Sequence, residues 1–347
     1  MLFHHLFGNK VYRIMKAQKD NMQPIIHVDQ LTKTYSFHEK QEGFAGSIKA
    51  LFHRKMLSKT AVDHVSFDIS SGEFVGFIGE NGAGKTTTLK MLSGILTPSS
   101  GTVLIDGHVP IDREESFLKK ISIVMGQKSS LWETLPPMET FLLLQKIYEI
   151  PNGVFHKRIE TLAVLLDVTE QLHVQVRKLS LGQRMKFELI AALLHDPKIV
   201  FLDEPTIGLD VTSQHKIREF LLEHNRTEKT TIILTSHNMS DVERLCKRLI
   251  IINKGAVGYD GSLEDIVASY SQVKHIRVQF RDRILKKDLS KIGTVIEMSP
   301  FEARLTIPSN DVSKQIQRLF SDFSVDDISI QDVSLEEIVA DIFQDKN

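Results

Sequence analysis

An uninterrupted apolar run, Phe74-Val75-Gly76-Phe77-Ile78, feeds directly into Gly79-Glu80-Asn81-Gly82-Ala83-Gly84-Lys85-Thr86, and the helical text TTTLKMLSGIL follows at once. A strand without polar alternation is what a parallel sheet covered on both faces requires. The strand, glycine-rich turn and helix therefore commit this part of the chain to a layered α/β fold. The turn fits G-x-x-x-x-G-K-[ST], in which glycines let the loop wrap closely and its backbone N–H groups point inward at an anion. The helix that follows presents its positive end to the same place. Lys85 is placed to reach β- and γ-phosphate oxygens, the Thr86 hydroxyl to ligate Mg²⁺, and Thr87 to continue the cradle.

A second apolar run, Lys198-Ile199-Val200-Phe201-Leu202, ends in two acids. Asp203 at the strand end can hold Mg²⁺ through water. Glu204 beside it can polarise an attacking water as a general base. A third run, TTIILTS, follows a helix expected over roughly 213 to 224. This strand–helix alternation predicts a mainly parallel core sheet. Upstream, IIHVDQLTKTY (closed by Tyr35) and AVDHVSFDIS read as an antiparallel strand pair flanking that sheet. Between them, residues 36–60 read as an insertion: Phe44, Ile48, Leu51, Phe52 and Met56 recur at helical spacing among Lys49, His53, Arg54, Lys55 and Lys59. This basic amphipathic segment is either a solvated helix packed on its own domain or a contact with a membrane partner or an anionic membrane surface.

Composition adds limits. The 347 residues suggest about two domains of ordinary size. Residues 1–22 read as a flexible tail, 23–265 as a nucleotide-binding domain with a helical subdomain at about 127–180, and 266–347 as a small α+β domain. In that last part HIRVQF, GTVIEM, ARLTIP and DDISIQD read as strands, VSKQIQRLF and SLEEIVADIF as helices. A net charge of -1 gives no global attraction to nucleic acid, and none is expected as a partner. The single cysteine, Cys246, cannot form an internal disulfide and reads as a partly buried thiol on a helix. No apolar stretch approaches the ~20 residues that a bilayer-spanning helix needs. Membrane work would need a partner that supplies the span.

A phosphate loop with an Asp-Glu strand leaves many motors open. The deciding string is Leu179-Ser180-Leu181-Gly182-Gln183, directly before a helical stretch. It resembles the LSGGQ signature of ATP-binding-cassette (ABC) ATPases, and the family's other motifs appear in order over roughly residues 25 to 260. Gln127, after ISIVMG, looks like the Q-loop glutamine. Pro205-Thr206-Ile207-Gly208-Leu209-Asp210 looks like the D-loop, His237 in Leu234-Thr235-Ser236-His237 like the switch histidine, and Tyr35 like the aromatic that stacks on adenine.

The resemblance implies a P-loop cassette with a mainly parallel core sheet, an antiparallel β subdomain and a helical subdomain. It implies ATP and Mg²⁺ as cofactors, with Thr86, Gln127 and Asp203 around the metal. Glu204, His237 and Gln127 would carry the chemistry. Residues 180–183 would face the ATP of a second ATPase subunit, identical or closely homologous, in a head-to-tail dimer, with Asp210 in the D-loop. One glycine of the usual signature is Leu181 here, which would be strained if that position needs a positive φ. The insertion, the stretch VMGQKSSLW and the tail DVSLEEIVADIF resemble ATPase subunits of ABC-2-type exporters. That narrower resemblance implies a separate polytopic permease and a place on the cytoplasmic face of the cell membrane. Residues 128–137, with Trp132, would then either form the permease groove or be an ordinary loop. The alternative is a soluble ABC ATPase that remodels a ribosome, DNA or another protein; a single cassette without a long heptad run weighs against it.

Overall fold

A computed structural model describes residues 23–38, 56–126, 128–270 and 272–344. The chain begins with β1 (Ile26–His38), β2 (Met56–Ile69), β3 (Phe74–Gly79), α1 (Lys85–Leu92), β4 (Ser100–Ile105), α2 (Glu115–Leu118) and β5 (Ile121–Met125). Helices α3 (Pro137–Ile147), α4 (Asn152–Leu165) and α5 (Leu181–Leu193) follow. Then come β6 (Ile199–Asp203), α6 (Val211–Glu228), β7 (Thr231–Thr235), α7 (Met239–Leu245), β8 (Arg248–Asn253) and β9 (Ala256–Ser262). The last part holds α8 (Leu263–Tyr270), β10 (Val273–Phe280), α9 (Lys286–Leu289), β11 (Thr294–Met298), β12 (Glu302–Pro308), α10 (Val312–Asp322), β13 (Val325–Asp332) and α11 (Leu335–Gln344).

The central sheet has the order β5-β6-β7-β3-β8-β9, parallel except for the antiparallel edge strand β9. Its apolar runs are explained by two cores, one on each face. Along β3, Phe74 and Ile78 enter one core while Val75 and Phe77 enter the other. In β6, Val200 and Leu202 share the first core and Ile199 and Phe201 the second. Successive side chains of a strand point to opposite faces, so both faces need apolar residues. The first core is closed by α4, α5, α6 and α7, and the second by α1 and the antiparallel sheet β2-β1-β4.

The strand pair at the start extends further than the sequence suggested. β1 does not close at Tyr35 but runs to His38, and β2 begins at Met56, with Ser36↔Ser58, Phe37↔Leu57 and His38↔Met56 in register. Backbone ladder bonds carry these positions whatever their side chains. Met56 and Lys59 therefore belong to a strand and not to the expected basic helix. The rest of that segment, 39–55, lies outside the described residues, as does the tail 1–22.

After α8, β10–β13 form their own antiparallel sheet, ordered β11-β12-β10-β13. Ile276, Val278, Leu305 and Ile307 pack there beneath Leu289 of α9 and Leu319 of α10. The boundary read at 265/266 falls inside α8, whose Ile266 is buried in the first core. Helix α11 also leaves the small sheet. Its Leu335, Ile338 and Val339 are buried in the first core, and Asn253 Nδ2 donates to the Phe343 carbonyl at 3.1 Å. The C-terminal helix is thus packed beside α7. Ile338 is fully buried, so Ile338→Ala should destabilise the protein by about 2–5 kcal/mol. Denaturant titration checks this; a loss below ~1 kcal/mol would mean that α11 is not held against the core.

Candidate functional site

Strands β3, β6 and β7 lie side by side and parallel, so their C-terminal ends open on one edge of the sheet. Ligand crevices of open α/β sheets lie at such edges. The loop after β3 is the glycine-rich turn. Gly84 holds φ 108° at the N-cap of α1, and a Cβ there would meet the Ala61 carbonyl at 2.4 Å, so only glycine fits. Lys85 is buried, and its Nζ donates to the carbonyls of Gly79 at 2.6 Å and Glu80 at 3.0 Å. Burial lowers its pKa, and the charges of Glu204 and Asp203 act against that shift. The Lys85 Nζ thus stands at the centre of a loop of backbone carbonyl dipoles.

Thr86 Oγ1 donates to Asp203 Oδ2 at 3.0 Å, and Thr235 Oγ1 donates to Asp203 Oδ1 at 2.6 Å. One carboxylate thus joins the ends of α1, β6 and β7. Glu204 follows with φ 54°, a left-handed conformation uncommon for a residue with a side chain. Its N–H donates to the Thr235 carbonyl at 3.1 Å, and its Oε1 lies 3.2 Å from His237 Nδ1. Such strain persists only where the surroundings over-determine it, and it concentrates at functional sites. Lys85, Thr86, Asp203, Glu204 and His237, scattered in sequence, form one cluster. Gln127 lies outside the described residues, but Gly126 N–H donates to the Asp203 carbonyl at 2.8 Å, which puts the end of β5 at the same place.

Tyr35 is exposed on β1 with Lys33 Nζ 5.5 Å from its ring centroid. The signature residues form a second group whose hydrogen bonds are local. Ser180 caps α5: its Oγ accepts from Gln183 N–H at 3.2 Å, and Gln183 Oε1 accepts from Ser180 N–H at 3.0 Å. This reciprocal capping box gives Gln183 a structural reason. Leu181 is the first residue of the helix and is not among the positive-φ residues, so its side chain causes no backbone strain. Gly182 approaches α6 so closely that a Cβ would meet Ser213 Oγ at 2.2 Å. Asp210 caps α6, accepting from Ser213 N–H at 2.9 Å and from its hydroxyl at 2.7 Å; these bonds lower the Asp210 pKa.

Two residues that sequence reading passed over, Asp241 and Arg218, support this arrangement. Asp241 in α7, with no exposed surface, accepts from Arg218 of α6, from the Thr206 hydroxyl and, at 3.3 Å, from the Ser236 hydroxyl. It therefore ties the loop after Glu204 to the loop that carries His237. No sequence spacing marks such a partnership; its one visible trace is an acid four positions after the histidine. Cys246 is more buried than expected, and burial pushes its thiol pKa up, which leaves it inert.

Among the described residues no group of three or more His, Cys, Asp or Glu is arranged to hold a metal. A hard cation that binds with phosphate oxygens needs only one or two protein oxygens. The convergence of the Thr86 hydroxyl and the Asp203 carboxylate fits that demand.

Known proteins resemble this chain in sequence and fold. Residues 62–207 match the family described as ABC transporter, and residues 272–331 match the EvrA-like ABC transporter C-terminal domain. The chain is 36% identical over 218 residues to the ABC transporter ATP-binding protein NatA of Bacillus subtilis (strain 168), covering 63% of this chain and 88% of that one. It is 35% identical over 208 residues to the linearmycin resistance ATP-binding protein LnrL of the same organism, covering 60% and 66%. Among solved structures, a dimeric ATP-binding cassette in a post-hydrolysis state bound to ADP and Pi superposes with a TM-score of 0.57 at 25% identity. The match covers 69% of this chain and 98% of that one.

Removing one partner of a buried ion pair leaves the other charge unpaired. Asp241→Ala should therefore destabilise the protein by about 3–5 kcal/mol, read from denaturant midpoints. A change within ~1 kcal/mol would show that Arg218 finds solvent and that the tie is dispensable.

Proposed function

Because the chain belongs to the ABC transporter ATP-binding proteins, and so binds and hydrolyses ATP, we propose that it powers a separate polytopic permease of the ABC-2 exporter type. The work is done through ATP-driven head-to-tail dimerisation with a second, identical or closely homologous ATPase subunit. The observation that carries this reading is the Glu204–His237 pair, set beside Asp203, Thr86 and Lys85 at one edge of the sheet.

Lys85 and the N–H groups of residues 79–87 bind the phosphates of ATP, and Tyr35 stacks on its adenine. Thr86 and Asp203, with Gln127, would hold Mg²⁺, which supplies neutralisation of phosphate charge. The Lys85 ammonium, now spent on two carbonyls, turns to phosphate oxygens, where its charge is better compensated. Ser180 of the facing subunit reaches the γ-phosphate. As a cap its Oγ accepts a hydrogen bond, so its own O–H proton stays free to donate. Glu204 accepts a proton from the attacking water while His237, held by Glu204, and Gln127 position water and phosphate. Loss of the γ-phosphate removes the bridge between subunits, and the dimer opens.

Among the described residues no helix is long and apolar enough to cross a membrane. Trp132 is half exposed, and Leu142, Leu143 and Ile147 of α3 also stand in solvent. We assign this surface to the permease contact, on the cytoplasmic face of the membrane. The four-stranded sheet of residues 272–331 with its helices is assigned to an accessory domain, which α8 and α11 flank while packing on the first core. The exported cargo is of hydrophobic, drug-like or lipid-like character.

Glu204→Gln should slow ATP hydrolysis by about 10²–10⁴-fold and trap a dimer with bound ATP. Normal turnover in that variant, measured by phosphate release, would reject Glu204 as the base. Lys85→Ala should abolish ATP-dependent dimerisation in size-exclusion runs, and undiminished nucleotide binding would reject the phosphate loop. Tagged Glu204→Gln protein recovered from detergent-solubilised membranes with Mg-ATP should carry a polytopic protein in stoichiometric amount. Recovery with ribosomes or nucleic acid would move the function to a soluble remodelling ATPase.

A further inference from the structure

The buried carboxylate of Glu188 takes no part in binding or hydrolysing ATP as described above. It lies on α5, eight residues past the Ser180 cap, which is about 12 Å along the helix axis. The side chain is buried, and among the described residues no basic group pairs with it. Among the described residues its compensation comes from one short surface segment. Oε1 accepts from Ser129 Oγ at 2.5 Å, Ser130 N–H at 2.9 Å and Leu131 N–H at 3.3 Å, and Oε2 accepts from the Ser130 hydroxyl. A buried charge keeps its place only if such donors are supplied, so the segment and the helix are bound to each other by mutual need.

A second attachment lies a few residues on. Val176 N–H donates to the Leu135 carbonyl at 3.0 Å, and Arg177 N–H to the Glu133 carbonyl at 2.9 Å. Residues 176–178 form the turn just before Ser180. Arg184 of α5 closes the arrangement, bonding the carbonyls of Leu179 at 3.2 Å and Arg177 at 3.0 Å. Residues 129–135 are therefore fastened to the signature element on both sides of its cap. On the other side of position 127, by contrast, Gly126 is bonded to Asp203 of the central sheet.

We propose that Glu188 is a positioning residue that couples the permease to the signature: it fixes residues 129–131 to α5, so a displacement of that segment by the permease carries Ser180 with it. This rests on the permease reading for residues 128–137. Gln127 stands in sequence between the two attachments, so the same displacement separates the signature element from the sheet that holds Asp203 and Glu204. Coupling between distant sites needs an element that moves as a body, and a capped helix with two attachments is one.

Two measurements on the full chain test the proposal, comparing the parent with Ser129→Ala/Ser130→Ala, Glu188→Ala and Glu188→Gln. In the first, hydrogen exchange is followed on Mg-ATP addition in the Glu204→Gln background. Residues 129–131 and 180–187 should change protection together in the parent, and separately in the double variant and in Glu188→Ala. Glu188→Gln, which keeps an acceptor, should retain most of the parent behaviour. In the second, ATPase activity is measured for the chain alone and with its co-purified permease in nanodiscs. Stimulation by the permease should fall roughly tenfold in Glu188→Ala while the rate of the chain alone stays within about twofold. Equal losses in both rates would mark Glu188 as merely structural and overturn the proposal. So would a parent in which the two segments respond independently, or unaltered stimulation in Glu188→Ala. Failure to recover any permease would sink the permease reading instead, and the exchange measurement would still decide whether Glu188 fastens the two segments.

Discussion

The Asp203 carboxylate accepts hydroxyl protons from Thr86 and Thr235 at once, and the rest of the site is arranged around those two bonds. They are available because β3, β6 and β7 run parallel and end together. An antiparallel neighbour would bring a strand start to this edge, with no helix N-terminus beside it. The parallel arrangement needs long crossovers, and these supply α1, α5 and α6, whose first turns lie at the phosphate loop, the signature and the D-loop. One topological choice thus delivers these helix N-termini, which as a class suit anions, together with both acids.

Several groups in this region are held in conformations or settings that are unfavourable alone. Lys85 is a buried amine, Glu204 sits at positive φ, and Asp241 is a carboxylate with no exposure. Each is offset by neighbours: backbone carbonyls and two acids for Lys85, Thr235 for Glu204, and Arg218, Thr206 and Ser236 for Asp241. The apolar cores on the two sheet faces supply the rigidity that makes such placement stable. The Asp241 network reaches α7, and α7 in turn packs against α11 from the end of the chain. The C-terminal sheet is therefore joined mechanically to the helix that follows His237.

The readings that held came from contiguous text. Residues 79–84 form a glycine-bearing turn into α1 because its conformational needs are met within one turn. The runs at 74–78 and 199–202 are strands because burial on both faces leaves no other composition open to them. The stretch after Leu179-Ser180 is helical as read, and the structure adds that Ser180 and Gln183 cap it within three residues. Readings that missed depended on partners far along the chain. Tyr35 looked like a strand end because the apolar and polar alternation gives way there, yet β2 pairs with the residues after it regardless of side chain. SLEEIVADIF read as part of a separate domain because an amphipathic helix does not say which apolar surface it covers, and Leu335 and Ile338 cover the first core.

By itself the sequence determined the cassette family and the motifs that mark it: a glycine-rich loop, an acidic strand end, a signature string and a histidine after the third apolar run, each written in a few adjacent residues whose backbone and side-chain demands are local. Only the tertiary structure decided how these are tied together. That Asp241 bonds Arg218, that Glu188 holds residues 129–131, and that α11 returns to the first core are facts about which buried groups meet. A buried charge requires some partner, but its own sequence neighbourhood does not name one. The choice is made by packing, where long-range contacts bring a single set of donors within reach.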